Sequence, residues 1–139
     1  MISFFYETDF EISNENSWNT WLESVVEKEG FELDEINYIF CDDEYLLQIN
    51  IEYLQHDYYT DVIGFQYSEG KNLTGDIYIS IDRVKENASE NTVSFKKELA
   101  RVMIHGILHF MNYKDKTAEE IEKMRRAEDK YLSFFHELN

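Results

Sequence analysis

Two histidines four residues apart, His105 and His109, are well spaced to hold a metal ion. Four residues advance about 400° around an α-helix, so both imidazoles would lie on one face and reach one ion. This spacing is the ligand half of the HExxH zinc motif, in which a glutamate after the first histidine is the general base. Here that position is Gly106. The spacing therefore predicts a metal site and argues against a metal hydrolase that cleaves peptides.

A third protein ligand is needed for a zinc site, and the loop after His109 offers two candidates. Asp115 is the better one and Tyr113 is the alternative. A loop that reverses direction after Asn112 could bring Asp115 back over the histidine face. Two histidines and one carboxylate suit zinc, and also iron or manganese. We therefore expect His105, His109 and Asp115 to hold one divalent ion.

A stripe of polar side chains continues along the same predicted helix. At about 100° per residue, Glu98 and Arg101 fall within a narrow angular range of His105 and His109. Glycine costs roughly 1 kcal/mol inside a helix relative to alanine. Gly106 beside the first histidine therefore suggests close approach by another part of the backbone or by a ligand.

The remaining patterns predict the elements that position this helix. Apolar and β-branched runs predict strands at 2–6, 36–41, 61–67 and 76–81. Helical spacing predicts helices around 18–26, from 42 or 43 to about 54, from about 92 to 110, and from the capping box at 117–120 onward. The order βαβαββαα predicts an α+β fold. We expect one mixed sheet of about four strands packed against helices, with the metal site on a central helix.

Composition limits the classes of function. The 139 residues fit one domain, 1–139, and a single cysteine, the predicted strand-end residue Cys41, excludes an internal disulfide. The net charge of −16 disfavours non-specific binding to nucleic acid or anionic membranes, so a nucleic-acid role would need a local basic patch, a bound cation or a protein partner. No targeting or membrane-spanning segment is evident, so we expect a cytoplasmic protein. The other histidines, His56 and His136, are predicted to be surface residues.

Three segments resemble a known family. The run HGILHFMNYKD at 105–115 is similar to H-G-x-L-H-L-x-G-Y-D-H, the signature of the YbeY family of bacterial metal-dependent endoribonucleases of ribosomal RNA maturation. Upstream, TDVIGF at 60–65 resembles the family's T-D-V-L-S-F, and GDIYIS at 75–80 resembles its G-D-I-x-I-S strand. The resemblance covers roughly residues 50–128, in the family's order.

The resemblance implies an activity and its participants. It implies a single-strand-specific endoribonuclease with one Zn²⁺ that acts on rRNA and ribosomal particles, with a ribosomal protein or a GTPase as candidate partner and no membrane. Arg101 is then a candidate for contacting phosphate, and an ion-paired arginine is the alternative. Glu98 is a candidate for orienting a ligand histidine, and an ordinary helix-surface glutamate is the alternative.

Three positions depart from the family pattern. Asp115 stands where the family has a third histidine, and Asn112 stands where it has a glycine. An arginine expected before the T-D-V segment falls near Leu54. The lost arginine and the acidic composition favour a second hypothesis, in which the protein is a ribosome-associated assembly factor that acts by binding and carries a structural metal.

Overall fold

Within residues 1–138, the part of the chain that the computed structural model describes, apolar runs form four strands of one mixed sheet and amphipathic segments form five α-helices. The elements in chain order are β1 (Ile2–Tyr6), α1 (Glu15–Lys28), β2 (Glu32–Cys41), α2 (Asp43–Leu54), β3 (Val62–Gln66), β4 (Asn72–Ser80), α3 (Ile81–Asn91), α4 (Phe95–Phe110) and α5 (Ala118–Ser133). A short 3-10 helix follows at His136–Leu138. The α+β class predicted from the sequence is confirmed.

The sheet has the strand order β1-β2-β4-β3. β2 pairs in parallel with both β1 and β4, and β3 runs antiparallel along the outer edge of β4. Helices cover both faces of the central strands, which is why the second half of β2 is a nearly continuous apolar run. β3 and β4 together form the surface against which α4 packs.

Helix α4 lies close to the sheet because it carries a glycine at the contact. A β-carbon built at Gly106 would lie 2.9 Å from Cγ2 of Ile77 and 3.5 Å from Cγ2 of Val62. Deeper along the helix, the buried hydroxyl of Tyr38 donates to the backbone oxygen of Met103 at 2.8 Å. A close approach at Gly106 is present, but the approaching atoms are side chains of the strands and not the backbone or ligand that the sequence led us to expect.

The end of α4 is fixed by Phe110, whose ring lies over two strand glycines. β-Carbons built at Gly64 and Gly75 would lie 2.9 and 2.7 Å from ring atoms of Phe110. The side-chain amide of Gln66 also donates to the backbone oxygen of Phe110 at 3.1 Å. The residue next to His109 is therefore held against both β3 and β4.

Helix α5 packs beside α4 and reaches α1. Its start is the predicted capping box, in which Oγ1 of Thr117 accepts the backbone N–H of Glu120 at 3.1 Å. Near its end, the indole of Trp21 donates to the backbone oxygen of Tyr131 at 2.8 Å and stacks on Phe135 with ring centroids 4.4 Å apart. These contacts fix the start of α5 and join its end to α1.

The opposite face of the sheet is covered by α2. A small buried cluster of Leu46, Cys41 and Ile63 joins the helix to β2 and β3. Cys41 ends its strand as predicted, and burial, together with nearby carboxylates, raises the pKa of its thiol to about 12. A thiol held neutral in this way packs as a small apolar side chain.

The sequence patterns miss one helix. They predict a strand through residue 81 and a helix only from about 92, whereas Ile81–Asn91 forms α3 and β4 begins already at Asn72. Ser80 ends the strand and also caps the helix, because its hydroxyl accepts the backbone N–H of Arg83 at 3.2 Å. No loop separates the strand from the helix, and only three residues of the helix are buried. The spacing of apolar residues therefore changes from that of a strand to that of a helix without turn residues to mark the boundary.

No helix within residues 1–138 combines the length and the apolar character needed to cross a membrane.

Candidate metal centre

Three ligand atoms converge at the end of α4. Nε2 of His109 lies 3.2 Å from Nε2 of His105 and 3.3 Å from Oδ2 of Asp115. The third side, from Nε2 of His105 to Oδ2 of Asp115, is 3.4 Å. The three residues predicted from the sequence as ligands thus form a nearly equilateral triangle of lone-pair donors.

The size of this donor triangle fits a tetrahedral ion. In a tetrahedral zinc site with bonds of roughly 2.0–2.1 Å, adjacent ligand atoms lie about 3.3–3.4 Å apart. An octahedral magnesium site with bonds of about 2.1 Å would need ligand atoms only about 3.0 Å apart. Two imidazoles and one carboxylate are also ligands that zinc accepts. The group formed by His105, His109 and Asp115 could therefore bind a metal ion.

A left-handed turn brings Asp115 to the histidines. Asn112 has a φ of 73°, and the backbone N–H of Tyr113 bonds back to the oxygen of Leu108 at 3.1 Å. Asparagine tolerates this conformation better than most residues. For Tyr113, the alternative ligand, burial and the neighbouring carboxylate of Glu29 raise the pKa of the hydroxyl group to about 12.

His105 is oriented by a glutamate from another helix. Oε2 of Glu128, which is only 3% exposed, lies 2.6 Å from Nδ1 of His105. Because a carboxylate accepts, the proton of the neutral imidazole is on Nδ1, and Nε2 then presents its lone pair to the donor triangle. Burial disfavours the imidazolium, but Glu128 and the nearby carboxylates of Asp115 and Asp61 outweigh it, so the pKa of His105 is raised.

Glu128 is not among the site residues predicted from the sequence. Its position carried a signal, because Glu128 follows Met124 by four residues and precedes Tyr131 by three, inside the buried stripe of α5. An acidic residue in an apolar stripe requires a partner. The expected partner of the histidine, Glu98, lies two turns before His105 and is too far along α4 to be the residue that holds it.

Arg101 and Glu98 both line a cleft that borders the donor triangle. The guanidinium of Arg101 donates to Oε1 of Glu128 at 2.9 Å and to Oδ1 of Asp129 at 2.7 Å, so the ion-paired alternative is the arrangement present. Glu98 is 6% exposed rather than a surface residue. Burial raises the pKa of its carboxyl group, although neighbouring Arg101 opposes that rise.

Two clefts meet at the donor triangle. One, of about 410 Å³, lies between α4 and α5 and is lined by Glu98, Arg101 and Arg125. The other, of about 640 Å³, runs along β3 toward the 55–61 loop. Both are bordered by Asp61, Val62, His105 and Asp115.

The remaining histidines and lysines lie at the surface. His56 and His136 are exposed, as predicted, and of the two only His56 lines a cleft at the site within the described residues. Lys114 and Lys116 are exposed on either side of Asp115.

This chain is similar to a family of known proteins. A family model described as endoribonuclease YbeY matches residues 4–136. Proteins named endoribonuclease YbeY from Flavobacterium psychrophilum and Flavobacterium johnsoniae are 57% and 51% identical over 136 residues. Each alignment covers 98% of this chain, and 97% and 98% of the respective relative.

A solved structure shares the fold. The solution structure of TM1509 from Thermotoga maritima superposes with a TM-score of 0.65 at 27% identity, and the match covers 99% of this chain and 93% of that one. With the family model matched over nearly its whole length and relatives more than half identical to it, this chain belongs to the YbeY endoribonuclease family.

Proposed function

We propose that this protein is a metal-dependent, single-strand-specific endoribonuclease that acts on ribosomal RNA during maturation and ribosome assembly. The observation that carries the proposal is the donor triangle of His105, His109 and Asp115, with sides of 3.2–3.4 Å, at the junction of two open clefts. Membership in a family named for endoribonuclease activity supports the reaction class.

Zn²⁺ is the ion that fits this donor set best, because the spacing of the three atoms matches tetrahedral coordination. When bound, such an ion supplies Lewis-acid polarisation of a phosphodiester. The protein's own contribution is to fix the three donors before substrate arrives. Glu128 sets the tautomer of His105, and Arg101 holds the other oxygen of Glu128. Preorganisation of this kind removes an ordering cost from the reaction.

A single RNA strand is the substrate form that the clefts favour. Both are open grooves, and a single strand can splay its bases away from its backbone to enter them. The net charge of −16 opposes a polyanion at long range. We therefore propose that the protein binds rRNA within ribosomal particles, where a ribosomal protein or a GTPase offsets this repulsion.

A second candidate function has a specific observation in its favour. No lysine or arginine is among the described residues that line the 640 Å³ cleft, and Leu54 lines it where the family pattern expects an arginine. A ribosome-associated assembly factor that holds a structural metal and cleaves little or no RNA would tolerate this loss. Co-sedimentation with ribosomal particles in the absence of cleavage would favour this second candidate.

The test compares three proteins on ribosomal RNA. Zinc-loaded wild type should cleave single-stranded regions, and His109→Ala should lose both bound zinc and cleavage. His136→Ala removes an exposed histidine outside the site and should match wild type. Thermal melting of each protein checks that the fold is intact. Equal cleavage by wild type and His109→Ala would refute the proposal.

A further inference from the structure

The larger cleft contains two side chains that the metal site does not use. His56 and Tyr58 lie on the loop between α2 and β3, and both line the 640 Å³ cleft that also contains His105, His109 and Asp115. Both are exposed, Tyr58 to 52%. Two aromatic rings on a connecting loop, facing the same cleft as a metal-binding group, are placed to contact whatever occupies it.

A buried amide fixes the loop that carries these rings. Asn50 is 2% exposed, and its side-chain N–H donates to the backbone oxygen of Tyr58 at 2.8 Å. Its backbone oxygen accepts the N–H of His56 at 3.1 Å, after Gln55 turns the chain with a φ of 59°. A buried polar side chain is costly unless it is satisfied, and here it is satisfied by holding the loop. The two exposed rings are therefore preorganised.

A hydrogen bond joins the two rings. The hydroxyl of Tyr58 lies 3.0 Å from Nδ1 of His56, and the ring centroids are 5.1 Å apart. When the hydroxyl donates to Nδ1, the proton of the neutral imidazole is on Nε2, and in the imidazolium both nitrogens carry protons. In both forms Nε2–H is a donor, which suits a phosphate oxygen.

The rest of the cleft offers few other groups that could bind a phosphate. None of its described lining residues is lysine or arginine, and the other two lining histidines, His105 and His109, belong to the donor triangle. Stacking of bases on aromatic rings is the usual sequence-tolerant way to hold a single strand.

We propose that His56 donates to a phosphate of a single-stranded RNA and that Tyr58 stacks on an adjacent base, so that the strand is held beside the metal centre. This inference rests on the proposed function, since it identifies where that substrate binds. Asn50 is a positioning residue that acts through the loop.

Binding and cleavage are measured separately to test it. Binding uses zinc-loaded protein and a short fluorescein-labelled single-stranded RNA with cleavage-resistant phosphorothioate linkages, followed by anisotropy. Cleavage uses the same sequence with ordinary linkages. The Kd of His56→Ala should rise about tenfold, the order expected for one charge-assisted hydrogen bond. His56→Gln keeps an N–H donor and should recover most of this loss.

The tyrosine is tested in parallel. The Kd of Tyr58→Leu should rise roughly five- to tenfold through lost stacking, and Tyr58→Phe, which keeps the ring, should lose less. In cleavage, both His56→Ala and Tyr58→Leu should raise KM more than they lower kcat. Zinc content and melting temperature should stay at the wild-type values.

Matched controls lie outside the cleft. Tyr53 is 63% exposed on α2, and His136 is exposed near the C-terminal end, and neither lines the cleft. Tyr53→Leu and His136→Ala should bind as wild type does.

Equal Kd values for wild type, His56→Ala and Tyr58→Leu would overturn the inference, as would a wild type that does not bind the probe. Wild type that binds the probe through these residues but leaves ordinary RNA intact would overturn the nuclease proposal and support the inference.

Discussion

Glu128 and His105 form a direct contact between two helices, with Oε2 of the glutamate 2.6 Å from Nδ1 of the histidine. Through this contact α5 determines which nitrogen of His105 faces the other two ligands. Oε1 of the same glutamate accepts from Arg101 at 2.9 Å, so both oxygens of one buried carboxylate are in use. Helix α5 therefore helps to arrange the donor triangle although it supplies none of its three atoms.

Glu128→Gln should weaken zinc binding about 10- to 100-fold, the cost typical of removing the partner of a ligand histidine. Glutamine keeps the volume and one acceptor oxygen but loses the charge that favours Nδ1–H and pairs with Arg101. The Kd for Zn²⁺ is measured by competition with a chromophoric chelator. Glu122→Gln, an exposed substitution on the same helix, should leave the Kd unchanged. A wild-type Kd in Glu128→Gln would show that the carboxylate does not support His105.

Asp115 is the position at which this chain departs from the three-histidine pattern, and its role as a ligand is directly testable. Asp115→Ala should reduce zinc affinity by more than the roughly 10- to 100-fold cost of losing an outer partner, because a vertex of the donor triangle is removed. Asp115→His should retain the metal, since imidazole is a good zinc ligand.

Metal content of the purified variants is the measurement, with Asp9→Ala as an exposed acidic control far from the site in sequence. Unchanged zinc in Asp115→Ala would remove Asp115 from the ligand set.

Gly106→Ala should destabilise the protein although glycine-to-alanine changes inside helices usually stabilise by about 1 kcal/mol. The new β-carbon would lie 2.9 Å from Cγ2 of Ile77, which is attached to a branched carbon with little rotational freedom. Overpacking of this kind costs about 1–3 kcal/mol. Urea denaturation of the metal-free protein measures the change in the free energy of unfolding.

The matched control for Gly106→Ala removes the clashing atom. In an Ile77→Ala background, the loss of unfolding free energy caused by Gly106→Ala should shrink or become a gain, because the new β-carbon then no longer clashes with the side chain at position 77. The same cost in both backgrounds would place the strain elsewhere on α4.

The donor triangle could be predicted from the sequence because it is local. His105, His109 and Asp115 lie within one helix end and the turn that follows it, and the periodicity of the helix and the left-handed preference of Asn112 define both. No long-range contact has to be known to place these three side chains together. The capping box of α5 was predictable for the same reason.

The support of the triangle could not be predicted, because it depends on packing between distant segments. Glu128 is 23 residues from His105 in sequence, and the contact exists only because α5 packs beside α4. The helix Ile81–Asn91 escaped prediction for a different reason. Ser80 serves both as the last residue of a strand and as a helix cap, so the apolar run of β4 passes into Ile81 without turn residues.

Glu98 gives a prediction about pH. Burial raises the pKa of its carboxyl group above the ordinary value of 4.5, in spite of neighbouring Arg101. Such a group contributes stability that is fully present below the unfolded pKa and is lost as the pH rises through the folded pKa. Glu98→Gln, which cannot ionise, should therefore flatten the fall in unfolding free energy between mildly acidic and neutral pH.

Urea denaturation of the metal-free protein across that range measures the slope, and Glu27→Gln, an exposed substitution on α1, should keep the wild-type slope. If Glu98→Gln also keeps it, the buried carboxyl group is not the source of the dependence. Because Glu128 holds His105, the zinc Kd of Glu98→Gln at neutral pH should stay within about threefold of wild type, well below the 10- to 100-fold cost of losing a histidine's partner.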